Sequence, residues 1–523
     1  MALAALALAY ALVAPAAAGH PCATMALREA TRGGFPAMAS AITERPWAEE
    51  LASFNDSATI PVRVHLGVAV DGAIGTQALA ALEAAWAMQV GGAGFDPPLP
   101  DGAEGGDQRL DVYLVPLPPG TGALTVALAD AGDDGRRASP AFLKADPTQP
   151  MELLEVYLHH ELQHALQFAL DTRESVMWSE ATAVYWELRA RPDLDEWQAA
   201  VPDFQRHPQA PIFTDGASFS PFAHAGVPRL EYGAVLFALY LDEEHGDGAG
   251  ALLADLWRGS IQADDVADNE PDWLDALAAE GLAINELLVD FVGWRALVGP
   301  LAVADDGPAV VLGGDAMLGV ESVAASTLDG ALELSDEDSG PFQLSCLVRQ
   351  VEVPASVATL PVQVHAEATL PDQVLAVASL VTVPGSGVAT RALLGEGSVI
   401  DADLEAPTGA LLQLALCDTS PADADLAPVP RPIRFSFLRT DVDWPDAGPP
   451  VEDAGTPEVD AGPPIPPDPI CTCQSSGGPT NMRKGMYVFG LLVSVVMLVV
   501  RSSRARRRRK LYERSAADEG STR

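Results

Sequence analysis

The chain is poor in basic residues, and this scarcity excludes one large class of functions. Of its 523 residues, 31 are Lys or Arg and 73 are Asp or Glu, which gives a formal net charge of −42 at pH 7. The lysines are only Lys144, Lys484 and Lys510. So acidic a chain is repelled by the phosphate backbones of DNA and RNA. We therefore expect no nucleic-acid partner.

Cysteines are also few. The chain has five, and at this length they exclude a small scaffold held together by disulfides. At ~100 to 200 residues per domain, the length instead predicts two or three domains, each with its own core. A hydrophobic content of 48% supplies those cores, while 45 Gly and 43 Pro indicate many turns and some unfolded linker.

The N-terminal segment lacks charge. Residues 2–18 are almost wholly apolar and end in three alanines before Gly19, a small-residue pattern that a signal peptidase accepts. We predict a signal peptide over residues 1–18, although the usual basic start is missing and an Ala-rich buried helix is the alternative. Residues 19–54 then form an N-terminal segment that could be a propeptide.

The C-terminal end carries the longest apolar run. Residues 485–500 (GMYVFGLLVSVVMLVV) are uncharged and are followed at once by an arginine cluster. Eleven of the 31 basic residues lie from Arg483 onward. A short apolar helix with a basic C-terminal flank predicts a membrane span that keeps the tail inside and the rest of the chain outside. A buried core helix is the alternative.

A spacer and a cysteine pair precede this run. Residues 442–470 repeat Asp-Ala-Gly-Pro-Pro with variations and contain too little apolar surface to fold, so we predict an extended linker. Cys471 and Cys473 follow. The arrangement over residues 471–523 resembles the MYXO-CTERM sorting tail of myxobacterial surface proteins, although Thr472 separates the cysteines and 13 residues follow Lys510.

The resemblance implies where the protein is located and two partners, a membrane and a processing enzyme. It implies export, a tail that first spans the inner membrane, and anchoring at the cell surface or outer membrane through the C-terminal helix. It also implies a sorting or processing enzyme that acts near Cys471.

Two folded parts are predicted between these ends. Strand-like segments (residues 61–67, 109–116, 122–129 and 139–145) and then long amphipathic segments (residues 151–170, 176–191, 230–244, 250–256 and 273–298) predict an α+β domain over residues 55–299, with a mixed sheet and active-site helices. Short Val- and Leu-rich runs at strand spacing predict an all-β sandwich over residues 300–441. The predicted strands are residues 309–312, 343–351, 360–366, 374–383, 410–417 and 433–437.

Within the predicted sandwich, Cys346 and Cys417 are expected to form a disulfide. Two separate buried thiols are the alternative. Cys22 has no evident partner.

The motif that carries chemistry lies in the helix predicted over residues 151–170. His160 and His164 frame Glu161 in the pattern H-E-x-x-H. On a helix, positions four apart share one face, so both imidazoles could bind one Zn²⁺ while Glu161 reaches the metal-bound water as general base. Two polar positions on a solvated helix face are the alternative.

A third ligand is expected from the next helix. Glu180, 16 residues after His164, would complete a His₂Glu site with one open position, the catalytic geometry of zinc. Glu174 or Glu187 could take this role instead. His159 points ~100° away from the motif face and is expected beside the site or at the surface.

The residues HHELQHALQ and WSEATAVYWE, with LDVYL before and RLEYGAVLFALYL after, resemble gluzincins, zinc metallopeptidases, and a myxobacterial family of secreted metalloproteases. The resemblance covers about residues 55–300. It implies His160, His164 and Glu180 as zinc ligands and Glu161 as the catalytic base. Ala181 and Val184 depart from the pattern, which has Gly and an acidic residue there, so the residue that orients the ligands is left open. Gluzincins also use a Tyr or His on the oxyanion, for which Tyr232 or His224 could serve.

Together these features predict an exported, surface-anchored zinc metalloendopeptidase that acts on peptide or protein substrates. A surface adhesin or inactive metallopeptidase-like module is the non-enzymatic alternative. A zinc hydrolase acting on a non-peptide bond is a third interpretation.

Overall fold

The structure is a computed structural model of the whole chain. It describes residues 44–128, 137–194, 200–214, 229–261, 271–303, 307–308, 317–323, 332–335, 341–424 and 430–440. The predicted signal peptide, linker, cysteine pair and C-terminal helix lie outside these residues, as do Cys22, His224 and the strand predicted over residues 309–312. Within the described ranges, no helix is both long and apolar enough to span a membrane.

A five-stranded mixed sheet forms the first part of the fold. Its order is β1-β2-β3-β5-β4. Strands β2, β3 and β5 are mutually parallel and buried on both faces, as continuous apolar runs in central parallel strands are. The outer strands β1 and β4 are antiparallel to their neighbours. The bounds are β1 Leu51–Asp56, β2 Val62–Gly67, β3 Leu110–Leu114, β4 Ala123–Ala127 and β5 Ala141–Ala145.

Nine α-helices accompany the sheet in the described residues. They are α1 Gly72–Trp86, α2 Met151–Phe168, α3 Val176–Ala190, α4 Val201–Arg206, α5 Leu230–Gly233, α6 Val235–Tyr240, α7 Ala251–Gly259, α8 Trp273–Ala279 and α9 Ile284–Ala296. The single helix predicted over residues 273–298 is wrong, because Gly281 adopts a positive φ of 75° and ends α8 before α9 begins. The structure otherwise confirms a mixed architecture of sheets and helices.

The two faces of the first sheet are covered differently. On one face, apolar residues of β2, β3 and β5 pack with α1, α2 and α3 in one large core. On the other face, the guanidinium of Arg45 lies 4.7 Å from the ring of Phe142 and pairs with Asp111 and Asp101. Strand β1 begins at Leu51, so the segment predicted over residues 19–54 includes part of this sheet.

Two further sheets face each other across a second core. One has the order β11-β10-β13-β8-β6 and the other β12-β9-β14-β7. Apolar residues from both sheets form the core between them. The bounds are β6 Glu321–Val323, β7 Leu332–Ser335, β8 Ser345–Glu352, β9 Thr359–Ala368, β10 Leu375–Val383, β11 Val388–Gly397, β12 Val399–Pro407, β13 Leu411–Asp418 and β14 Ile433–Arg439.

Helix α9 packs against the first of these two sheets. Arg391 of β11 donates to a carboxylate oxygen of Asp290 at 2.6 Å, and Asn285 donates to Glu396 at 2.9 Å. The helical and β parts therefore contact each other through polar pairs that border a cleft of about 350 Å³.

A disulfide joins Cys346 of β8 to Cys417 of β13. The two residues are directly opposite in the antiparallel ladder, and both side chains are buried. The bond closes a loop between residues 71 positions apart. It thereby restricts the unfolded chain of the β part.

Replacing both bonded cysteines with alanine is expected to lower the free energy of unfolding by about 4 kcal/mol, because a closed loop of this length restricts the unfolded ensemble. Urea unfolding measures the change. Cys22→Ala serves as the control and is expected to leave the midpoint unchanged. Equal midpoints for the double variant and the parent chain would contradict a stabilising cross-link.

Candidate metal centre

The candidate site lies between α2 and α3, which pack against each other. Helix α2 follows Pro150, and α3 follows its N-cap residue Ser175, whose side chain accepts a hydrogen bond from the backbone of Trp178. His160 and His164 lie one turn apart on α2. Glu180 projects from α3. The short connection between the helices therefore brings three potential metal ligands together.

The donor atoms have the spacing that one metal ion requires. Oε2 of Glu180 lies 3.3 Å from Nε2 of His160 and 3.6 Å from Nε2 of His164. Tetrahedral zinc with bonds of about 2.0 to 2.2 Å places neighbouring ligand atoms about 3.3 to 3.5 Å apart. Within the described part of the chain, these side chains are the one group of three or more His, Cys, Asp or Glu residues arranged to hold a metal.

The three side chains are almost fully enclosed. His160 is 1% exposed, and His164 and Glu180 are 0% exposed. A solvated helix face, the alternative weighed for the histidines, is therefore wrong. Burial raises the pKa of Glu180, but His164 and His160 outweigh it and bring that pKa to about 2. The Glu180 carboxylate is consequently ionised at neutral pH, as a metal ligand must be.

Gln167 fixes the tautomer of His164. Its amide nitrogen donates to the carbonyl of Ser179 at 2.9 Å and to the hydroxyl of Thr182 at 3.0 Å. Its amide oxygen therefore faces Nδ1 of His164, 2.7 Å away. Since that oxygen can only accept, Nδ1 carries the proton and Nε2 keeps a lone pair for a metal.

Glu187 lies beside the other histidine. Glu187 lies two helical turns after Glu180, on the same face of α3. Its Oε1 lies 2.6 Å from Nδ1 of His160. Burial raises the pKa of Glu187 to about 8, although His160 opposes the shift. A proton on Nδ1 of His160, shared with this carboxylate, leaves the lone pair of Nε2 for a metal. The resemblance placed an acidic residue at the position of Val184, and the structure places it three residues later.

The general base predicted beside the histidines faces the edge strand of the first sheet. The hydroxyl of Thr125, on β4, lies 2.7 Å from Oε2 of Glu161 and 2.8 Å from its carbonyl oxygen. Glu161 is itself 1% exposed. The Glu161 carboxylate therefore lies where α2 packs against β4.

The remaining candidates take other positions. Glu174 is buried, accepts a hydrogen bond from the backbone of Ser175, and is not part of the metal-binding group. His159 is buried rather than at the surface, and its Nδ1 contacts the carbonyl of Glu155 at 2.9 Å. Tyr232 is buried on α5, which packs against α3. His224 lies outside the described residues.

The positioning roles of Gln167, Glu187 and Thr125 were not predicted from the sequence, although the spacing of the first two indicates a shared helix face. Gln167 follows His164 by three residues and Glu187 follows Glu180 by seven, and both spacings bring side chains to one helix face. Thr125 had no such signal, because its contact with Glu161 depends on how β4 packs against α2.

Comparisons with known proteins add little to this geometry. No family model matches the chain, and no curated protein matches it. A crystal structure of tripeptidyl peptidase 2 has a TM-score of 0.18 and 9% identity, covering 24% of this chain and 11% of that one. The pre-peptidase C-terminal domain of a Bacillus anthracis collagenase has a TM-score of 0.14 and 8% identity, covering 23% of this chain and 94% of that one. Neither likeness is close enough to carry an argument.

Substituting Glu180 with alanine is expected to abolish metal binding, because two neutral imidazoles without the buried carboxylate leave the ion short of one ligand and one negative charge. Zinc content per chain after gel filtration measures the effect. Glu174→Ala, a substitution of the other buried glutamate near the start of α3, is the matched control and is expected to keep full occupancy. Full occupancy in the Glu180 variant would contradict the assignment.

Glu187→Gln is expected to weaken zinc binding by roughly 10- to 100-fold without removing it, since the carboxylate orients His160 and increases its basicity. Competition with a coloured chelator measures the dissociation constant. A constant equal to that of the parent chain would show that the 2.6 Å contact has no role in the metal site.

Proposed function

We propose that the chain is a zinc metallopeptidase in which His160, His164 and Glu180 hold the metal and Glu161 is the general base. The observation that carries the proposal is that two buried imidazoles and one ionised carboxylate converge. The distances between their donor atoms are those between neighbouring ligands of one zinc ion. A catalytic carboxylate next to His160 on the same helix adds to it.

The proposed chemistry divides between the metal and the chain. A bound zinc ion would lower the pKa of a water molecule toward about 7 and polarise a carbonyl. Glu161 takes the proton from the attacking water and delivers it to the leaving amine. Thr125 keeps the Glu161 carboxylate in place by a hydrogen bond at 2.7 Å. Gln167 and Glu187 keep the two imidazoles in their metal-ligating tautomers.

Strand β4 supports an extended peptide as the substrate. It is the last strand of its sheet in the described chain, and it pairs with β5 on one side. A peptide that adds to the other side of an edge strand gains backbone hydrogen bonds along its length. Such a peptide would run beside Glu161, because Thr125 of this strand contacts that carboxylate.

One observation favours the non-catalytic alternative, a metal-binding surface module. The four side chains His160, Glu161, His164 and Glu180 are each no more than 1% exposed. A peptide therefore reaches them only after part of the surrounding chain moves, whereas a stabilising metal needs no such movement. Activity measurements separate the two functions.

We also propose that the protein is exported and anchored at the cell surface through its C-terminal apolar helix. The support is the apolar run of residues 485–500, the arginine cluster after it and the acidic, Pro-rich segment before it.

Glu161→Gln is expected to lower peptide hydrolysis by roughly 10²- to 10⁴-fold while zinc stays bound, because the variant loses the proton acceptor and keeps all three ligands. Hydrolysis of casein or a quenched fluorescent peptide, measured beside zinc content, tests this. Glu155→Gln, a more exposed position on α2, is the control and should retain activity. Bound zinc with no hydrolysis of casein or peptides by the parent chain would support the non-catalytic module.

A further inference from the structure

A second feature of the helical part involves a buried cation away from the metal-binding residues. Arg295, near the end of α9, is 3% exposed. The central carbon of its guanidinium lies 4.8 Å from the ring centre of Phe204 and 5.1 Å from that of Phe291. The charged group is therefore enclosed next to two aromatic rings.

This guanidinium has no counter-charge in the described chain. No Asp or Glu among the described residues forms an ion pair with it, and its Nε is buried without a hydrogen-bond acceptor. Two other buried arginines of the described chain have a counter-charge, although the Nε of Arg431 also lacks an acceptor. Arg63 pairs with Asp56 at 2.6 Å, and Arg431 pairs with Asp372 at 2.8 Å.

The enclosed group remains charged at neutral pH. Burial lowers the pKa of Arg295 to about 9, which is still above 7. A phenyl ring attracts a cation through its face, but it offers no acceptor to the N–H groups, which lie in the guanidinium plane. A buried charge that has no counter-charge, and one of whose N–H groups lacks an acceptor, is unfavourable. The missing partner must be negative and must accept hydrogen bonds.

We propose that Arg295 binds a small inorganic monovalent anion, of the size of chloride, in the interior of the helical part. Its small size follows from the near-complete enclosure of the side chain. The anion carries one negative charge because Arg295 supplies one positive charge. Phe204 and Phe291 lie beside the guanidinium, and the anion accepts a hydrogen bond from its Nε–H group, which has no acceptor in the described chain.

The position of α9 gives the anion a structural consequence. The helix contributes Phe291 and Trp294 to the main core, and Asp290 of the same helix pairs with Arg391 of the β part. An anion that fixes the end of α9 therefore stabilises the contact between the two parts.

Thermal unfolding of the purified full-length chain tests the proposal. We expect sodium bromide or chloride to raise the unfolding midpoint by about 3 °C, in a saturable way, relative to sodium gluconate at equal ionic strength. Arg295→Met should remove this difference. Arg258→Met, a substitution of a partly exposed arginine paired with Asp255, should retain it.

Diffraction from bromide-soaked crystals of the parent protein gives a second measurement that does not depend on the variant folding. The proposal predicts an anomalous bromide peak within about 3.5 Å of the Arg295 guanidinium. Crystals with no peak at that position would overturn it. An equal halide response in the parent and Arg295→Met chains would also overturn it.

Discussion

The candidate site depends above all on the packing of α2 against α3. Neither helix holds enough ligands alone, since His160 and His164 belong to α2 and Glu180 to α3. Aromatic packing behind α3 fixes its position. The ring of Trp178 stacks on that of Trp273 at 5.1 Å, and the indole of Trp257 donates to Thr182. Apolar burial therefore determines where the Glu180 carboxylate lies.

The same packing connects the site to the first sheet. The hydroxyl of Thr182 also accepts from Gln167, so a hydrogen-bond chain runs from Trp257 to His164 through two side chains. On the other side of α2, Glu161 contacts Thr125 of β4. Buried polar groups keep their partners only in one arrangement, so these contacts give the site a single geometry.

Local patterns predicted most elements and the metal-binding trio. Prolines at 150 and 192 and helical periodicity indicated α2 and α3, and the H-E-x-x-H spacing indicated two ligands. The split between α8 and α9 was missed because a single Gly281 in an apolar stretch is also tolerated within helices. Strands β11 and β12 were missed because their exposed residues interrupt the apolar alternation. The roles of Thr125 and Arg295 depend on neighbours distant in sequence, which no local pattern contains.

The central claim is that one metal ion lies between His160, His164 and Glu180. Anomalous diffraction at the zinc absorption edge from crystals of the zinc-loaded protein tests it most directly. We predict a peak about 2.0 to 2.2 Å from Nε2 of both histidines and from a Glu180 carboxylate oxygen. Zinc bound elsewhere, or no peak between these three side chains, would contradict it.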